Sequence, residues 1–167
     1  SEAEMASGIK SFTSLVKPFG SMEEWLSIIN TYSQDGYEAY AFGHSVAYGS
    51  LLFKFTGFKG AIVSLLGDTG SGKSTVQKTI NSVFGHPTDL YLQQDDTVNA
   101  RMKQIAVMNS LSPAYDESSN ISPEELSDFC YSISQGRDKR RLTQSGDMSG
   151  AELRWCGITT TSVNHSL

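Results

Sequence analysis

The sequence predicts an α/β domain in which helices flank a mostly parallel central sheet, preceded by a small helical lead-in. Two observations support this fold class. The run at 61–66, Ala-Ile-Val-Ser-Leu-Leu, is apolar, partly β-branched and bounded by glycines, which is typical of a parallel strand buried on both faces. Strand and helix patterns then alternate along the chain, as they do in parallel βα units. We expect the lead-in to span residues 1–58 and the core to span 59–167.

The lead-in contains two predicted helices. Ser21 and Glu24 have the spacing of a capping box, and the apolar side chains at positions 25, 28, 29 and 32 share one helical face. Asp35-Gly36 ends this pattern. A second helix is predicted over residues 37–55, where small side chains permit close packing. Its internal glycines lower the helix propensity and leave its length open.

The core is predicted to continue with alternating helices and strands. The pair Asp95-Asp96 is interpreted as an N-terminal cap, and Ser122-Pro123-Glu124-Glu125 as a capping box with proline in the first turn. Gly85-His86-Pro87 is a helix terminator. The predicted helices cover residues 74–84, 98–109 and 122 to about 136, and the predicted strands after the first cover 90–92, the segment before Asp116, and a Thr-rich stretch at 153–163.

Composition and charge exclude several classes of protein. The chain has 167 residues, of which 38% are hydrophobic, so it is not a disordered polar chain. Its 13 Lys+Arg and 18 Asp+Glu give a net charge of −5, which excludes a generally basic nucleic-acid coat but not a local basic patch. Cys130 and Cys156 have neither metal-site nor disulfide-scaffold spacing. With no apolar run long enough to span a membrane and no export signal, we expect a reduced, cytoplasmic protein.

One motif carries a specific chemical prediction. The segment Gly67-Asp68-Thr69-Gly70-Ser71-Gly72-Lys73-Ser74 matches G-x-x-x-x-G-K-[ST] in full, and it follows the predicted strand and precedes a predicted helix. In such a P-loop, backbone N–H groups surround a phosphate, the lysine reaches the β/γ oxygens and the serine hydroxyl binds Mg²⁺. The alternative is a glycine-rich turn without a ligand. The predicted nucleotide-binding residues are Gly67, Asp68, Thr69, Gly70, Ser71, Gly72, Lys73, Ser74 and Thr75.

An acidic pair, Asp116-Glu117, lies 43 residues after Lys73 and is the candidate for the second half of an NTPase site. Asp116 would hold the Mg²⁺ shell together with Ser74, and Glu117 would polarise the attacking water. Two alternatives remain: a surface acidic turn, since Pro113 suits a central strand poorly, and the competing pair Asp95-Asp96.

Two further features could belong to the same machinery. Asn164 ends the Thr-rich strand, where an amide beside the acidic strand could contact the γ-phosphate or the lytic water, although an Asn after a strand is more often a turn residue. The basic run Arg137, Lys139, Arg140 and Arg141 is a candidate for contact with DNA phosphates, the alternative being a solvated loop.

The order of these motifs resembles the ATPase core of phage and mobile-element replication proteins, which is related to superfamily 3 and AAA+ helicases. The similarity covers about residues 18–167. Upstream, Phe19-Gly20-Ser21-Met22-Glu23-Glu24-Trp25 and the Ala/Gly/Ser-rich helix after it resemble the helical lead-in of an uncharacterised helicase-like family found in primase–helicase proteins.

The resemblance implies an ATP- and Mg²⁺-dependent motor on single-stranded DNA, assembled as a homo-oligomeric ring, a hexamer, and phage-encoded in a host cell. It places Lys73, Ser74, Asp116, Glu117 and Asn164 in one subunit's site, with Glu117, Lys73 and Asn164 catalytic. The last core strand and the arginine finger of such rings have no evident counterpart here, so we expect a piece of a longer replication protein that hydrolyses ATP weakly by itself.

Two other functions fit the P-loop. A small-molecule kinase would use the acidic pair differently and would need a substrate lid. A nonhydrolysing, nucleotide-dependent assembly module would bind nucleotide without needing Glu117.

Overall fold

The computed structural model describes residues 12–92, 96–116, 122–138 and 153–164. Within these ranges the chain alternates helices and strands around one sheet, and residues 12–15 are also helical. The elements are α1 (Met22–Thr31), α2 (Glu38–Leu52), a 3₁₀ turn (Phe53–Phe55), β1 (Gly60–Gly67), α3 (Lys73–Ser82), β2 (Tyr91–Leu92), α4 (Val98–Met108), β3 (Ala114–Tyr115), α5 (Pro123–Gln135) and β4 (Gly157–Asn164).

The sheet confirms the predicted α/β fold with parallel strands. Its order is β1-β4-β3-β2, and every neighbouring pair is parallel. The Thr-rich strand β4 lies between β1 and β3, so it is next to the strand that precedes Asp116. Because all strands point the same way, their carboxyl ends share one edge of the sheet.

The burial predicted for the apolar strand is wrong. In the described part of the chain β1 lies at one side of the sheet, and Leu66 is 61% exposed. The central, buried strand is the Thr-rich β4, in which Thr160 is fully buried. Hydroxyls tolerate this position because they find partners: Ser64 and Thr161 share a hydrogen bond of 2.9 Å between their side-chain oxygens.

Two of the three helix N-caps predicted from the sequence are confirmed. The side chain of Ser21 accepts from the backbone N–H of Glu24 at the start of α1, and Ser122 accepts from that of Glu125 at the start of α5. The cap predicted for α4 is wrong, because the side chain of Thr97 accepts from Ala100 N at 3.2 Å; Asp95 lies outside the described residues.

The second helix is shorter than predicted. It ends at Leu52, and residues 53–55 form a 3₁₀ turn instead of continuing to the predicted limit at 55. The predicted strand 153–163 begins only at Gly157, because Arg154 instead forms an isolated antiparallel bridge with Arg137.

The helices of the lead-in pack on the core. Trp25 donates from its indole Nε1 to Ser82 Oγ at 2.8 Å, which ties α1 to α3. In α2, Gly43 lies directly against the side chain of Val76, and Ser50 Oγ accepts from Ile158 N at 2.9 Å. The boundary near residue 58 stays a prediction. In the part of the chain that the structure describes, no helix is long and apolar enough to cross a membrane.

The main core lies under the sheet between α4 and α5. Seven buried side chains form it, and Ile62 of β1 packs against them. They are Leu92, Met102, Ile105, Tyr115, Phe129, Ile133 and Trp155. This core includes side chains of the short strands β2 and β3. It therefore stabilises the end of β3, which Asp116 directly follows.

Candidate nucleotide-binding site

The glycine loop connects the carboxyl end of β1 to the first residue of α3. Gly70 and Gly72 have φ of +85° and +87°, a left-handed conformation that a side chain would strain. The Lys73 ammonium folds over the loop and donates from Nζ to the carbonyls of Gly67 and Asp68, both at 2.8 Å. The sequence motif therefore has the strand–loop–helix context that P-loop chemistry needs.

A tyrosine of the lead-in contacts this loop. The Tyr40 hydroxyl in α2 donates to the carbonyl of Ser71 at 2.7 Å. Its ring also lies against Gly72, since a Cβ at that glycine would come within 2.9 Å of Tyr40 Cε1. Position 72 thus requires glycine both for its backbone angle and for the approach of this ring.

The carboxylate of Asp116 lies between the P-loop helix and the central strand. Ser74 Oγ donates to Asp116 Oδ2 at 3.1 Å, and Ser162 Oγ of β4 donates to Asp116 Oδ1. The two residues predicted from sequence to share a metal ion are therefore in direct contact, although 42 positions separate them. A serine hydroxyl and a carboxylate are hard oxygen donors of the kind that Mg²⁺ prefers.

The donor set is small. No group of three or more His, Cys, Asp and Glu side chains able to hold a metal occurs among the described residues. Mg²⁺ binds proteins through one or two side chains and takes its remaining ligands from water and phosphate. Ser74 and Asp116 supply two oxygen donors of this kind.

Tyr91 contacts the first turn of the P-loop helix. Its hydroxyl donates to the Ser74 carbonyl at 3.0 Å. Burial, and secondarily the negative charge of Asp116, raise the pKa of Tyr91 above its ordinary value. The phenol therefore stays protonated and keeps donating at any physiological pH.

A second layer of contacts holds the strand that leads into Asp116. Gln77 of α3, fully buried, donates from Nε2 to the Tyr115 carbonyl at 3.2 Å. Arg101 of α4 donates to the Tyr115 hydroxyl at 3.0 Å and to Glu125 Oε1 at 2.8 Å. Although β3 has only two residues, α3, α4 and α5 all connect to it.

The structure brings together some of the predicted site residues and not others. Asn164 is paired in register with Gly67, so it lies at the same sheet edge as the P-loop, Lys73 and Asp116. Glu117, Lys139, Arg140 and Arg141 lie outside the described residues. Arg137 is described, but it lies near the start of β4, at the opposite end of that strand from Asn164. The catalytic and binding roles of all these residues stay predictions.

Three residues that contact the candidate site were not predicted from the sequence: Tyr40, Tyr91 and Ser162. Each reaches the site through a contact with a distant segment, and none belongs to a motif. Ser162 offered one usable signal, since it lies two positions before Asn164 and so shares its side of the strand. The two tyrosines gave none.

Residues 5–152 match the family described as "Domain of unknown function (DUF927)". The chain belongs to this family. The solved structure of an active helicase, Cch of SCCmec type IV, resembles the DUF927 chain with a TM-score of 0.60 and 22% sequence identity over 91% of this chain. The chain spans 28% of the length of that helicase. No curated protein sequence matches. At this identity the likeness shows that the DUF927 chain shares the fold of a helicase segment.

Proposed function

We propose that the chain binds ATP with Mg²⁺ at the P-loop and is the ATPase core of a helicase-like motor acting on single-stranded DNA. The observation that carries the proposal is the contact between Ser74 Oγ and Asp116 Oδ2 at 3.1 Å, at the sheet edge that also presents Lys73 and Asn164. A phosphate-binding loop alone would fit any nucleotide binder. A carboxylate from a second strand touching the P-loop serine adds the group that phosphoryl transfer requires.

The chain's own groups would divide the work as follows. The backbone N–H groups of residues 67–75 and the amino end of α3 would hold the phosphates, and Lys73 would move from its loop carbonyls to the β/γ oxygens. Ser74 and Asp116 would hold Mg²⁺, which when bound neutralises charge on the phosphate oxygens. Glu117 would orient the attacking water, and Asn164 would contact the γ-phosphate or that water.

The motor part of the proposal is supported by the fold and by the order of motifs. The fold is that of a segment of an active helicase, and the predicted order of motifs resembles superfamily 3 and AAA+ ATPase cores. In such rings a homo-oligomer, here a hexamer, moves along single-stranded DNA. The basic residues Arg137, Lys139, Arg140 and Arg141 are the sequence's candidates for its phosphate contacts.

ATP binding and turnover of the Lys73→Ala variant test the proposal. We expect its affinity for Mg·ATP to fall roughly ten- to hundredfold, because a charge-assisted hydrogen bond to phosphate is lost. Lys78→Ala is the matched control, since Lys78 is an exposed lysine of the same helix. ATPase activity of the wild type should rise when single-stranded DNA is added.

The outcomes separate the alternatives. Equal ATP affinity in the Lys73→Ala variant and the wild type would contradict the proposed nucleotide site. Tight ATP binding without hydrolysis, unchanged by Glu117→Gln, would favour an assembly module. Transfer of the γ-phosphate to a small acceptor, with no response to DNA, would favour a kinase.

A further inference from the structure

A cleft at the far end of the sheet is lined by positively charged side chains from three segments of the chain. Its volume is about 530 Å³, and Lys54, Lys59, Arg137 and Arg154 line it. We call these four residues and the space between them the basic cleft. All four side chains are exposed. In a chain with a net charge of −5, such a concentration of cations is a local departure from the average.

Three stretches of the chain form this cleft, one with Lys54 and Lys59, one with Arg137 and one with Arg154. Lys54 lies in the 3₁₀ turn after α2, and Lys59 immediately precedes β1. Arg137 and Arg154 are joined by the antiparallel bridge, which is supported by hydrogen bonds from Asp138 N to Leu153 O at 3.1 Å and from Trp155 N to Gly136 O at 3.0 Å. Only Arg137 belongs to the basic run visible in the sequence.

Aromatic side chains accompany the charges. Phe58 lines the basic cleft and is 69% exposed, and the neighbouring Phe55 is 75% exposed with Lys54 Nζ 5.1 Å from its ring centre. Cations that track a phosphate backbone, together with aromatic faces on which unpaired bases stack, are the two features of sites for single-stranded nucleic acid. A duplex would offer no unpaired base to these rings.

We propose that the basic cleft binds single-stranded nucleic acid, with Lys54 and Lys59 on the phosphates and Phe58 stacked on a base. This inference rests on the proposed function, for which it supplies the DNA contact. It adds Lys54, Lys59 and Phe58, which no sequence motif singles out.

The basic cleft and the P-loop lie at opposite ends of β1. Lys59 precedes the first residue of this strand and Gly67 is its last, so about 25 Å separates the two sites. Substitutions in the cleft should therefore leave nucleotide affinity unchanged. This separation allows DNA binding and ATP binding to be tested independently.

Binding of a labelled oligo-dT strand, followed by fluorescence anisotropy over a range of salt concentrations without nucleotide, tests the proposal. For the double variant Lys54→Gln/Lys59→Gln we expect roughly tenfold weaker binding and a salt dependence of log K reduced by about 1.4, because each phosphate contact on a single strand contributes about 0.7. Lys78→Gln/Lys103→Gln removes the same charge from exposed positions on α3 and α4 and should change affinity less than about twofold.

The Phe58→Ala variant separates stacking from charge. We expect it to bind oligo-dT roughly five- to fiftyfold more weakly with an unchanged salt slope, since stacking involves no counterion release. All the substituted side chains are exposed, so we expect each variant to keep the fold. Thermal melting of each variant checks this.

Three results would overturn the inference: equal losses in the cleft and control lysine pairs, no effect of Phe58→Ala, or no binding of oligo-dT by the wild type. Failure of ATP binding in the wild type, with DNA binding retained, would instead contradict the proposed nucleotide site. The Lys73→Ala variant should bind oligo-dT like the wild type.

Discussion

Tyr40 connects the helical lead-in to the phosphate loop through one hydroxyl group. That hydroxyl donates to Ser71 O, between Gly70 and Gly72, which lack a Cβ and so leave the loop many other accessible conformations. A loop held in its binding conformation binds more tightly, because less conformational freedom is lost when the ligand arrives. We therefore predict that Tyr40 positions the loop and takes no part in the chemical step.

The Tyr40→Phe variant tests this role. It keeps the ring against Gly72 and removes only the hydroxyl, so we expect roughly two- to tenfold weaker binding of both ATP and inorganic triphosphate. The turnover rate at saturating ATP should stay unchanged. Calorimetric titration measures the affinities, and steady-state kinetics separates KM from kcat.

Tyr48→Phe is the matched control for this variant. Tyr48 lies in the same helix and its hydroxyl contacts His44 Nε2 at 3.4 Å, away from the loop. Equal affinities for Tyr40→Phe, Tyr48→Phe and wild type would show that the hydroxyl does not position the loop. A loss of affinity for ATP alone, with triphosphate binding unchanged, would instead indicate that Tyr40 contacts the adenine base.

Local sequence signals identified residues whose role depends on their neighbours in the chain. The P-loop and the caps at Ser21 and Ser122 follow from spacings of a few residues, and the structure bears out both caps. The contacts of Tyr40 with Ser71 and of Ser162 with Asp116 span 31 and 46 positions. Such contacts depend on the folded topology and have no counterpart in a short pattern.

At the scale of elements, Arg101 joins α4 to α5 and β3. It is 4% exposed, it donates to Tyr115 and Glu125, and its guanidinium carbon lies 5.2 Å from the centre of the Tyr115 ring. Glu125, by contrast, has 37% of its side chain exposed. Solvent therefore screens the ion pair on one side only.

We expect Arg101→Ala to lower the free energy of unfolding by about 2–4 kcal/mol, because the buried Tyr115 hydroxyl loses its donor and the core loses packing. Glu125→Gln keeps an acceptor oxygen and should cost about 1 kcal/mol or less. Urea unfolding measures both, with the exposed Lys103→Ala on the same helix as control. An Arg101→Ala loss no larger than that of Glu125→Gln would contradict this role.

Periodic patterns predicted where helices form better than which side chains they bury: Ile28, on the apolar face predicted for α1, is 54% exposed. In α4, three apolar side chains are buried, with Met102, Ile105 and Met108 each at most 2% exposed. β1 is more exposed and β4 more buried than their compositions suggest, because position in the sheet, rather than hydrophobicity, decides which strand is central.

For the whole molecule, the strand order places the candidate functional groups at two ends. β4 separates the P-loop strand from the acidic strand, yet the parallel arrangement brings Gly67, Asp116 and Asn164 to one edge. The basic cleft occupies the other end. The sequence predicted the first grouping through its motif order. It revealed only Arg137 of the second, because Lys54, Lys59 and Arg154 belong to no motif and come together only in the folded chain.

The Mg²⁺ dependence of ATP binding in the Asp116→Asn variant tests most directly the claim that the P-loop and the acidic strand form one nucleotide site. The wild type and the exposed-loop control Asp35→Asn should bind ATP at least about tenfold more tightly in Mg²⁺ than in EDTA, since the metal links phosphate to the carboxylate. Asp116→Asn should lose most of this gain while keeping its affinity in EDTA. The same Mg²⁺-dependent gain in Asp116→Asn and wild type would contradict the account.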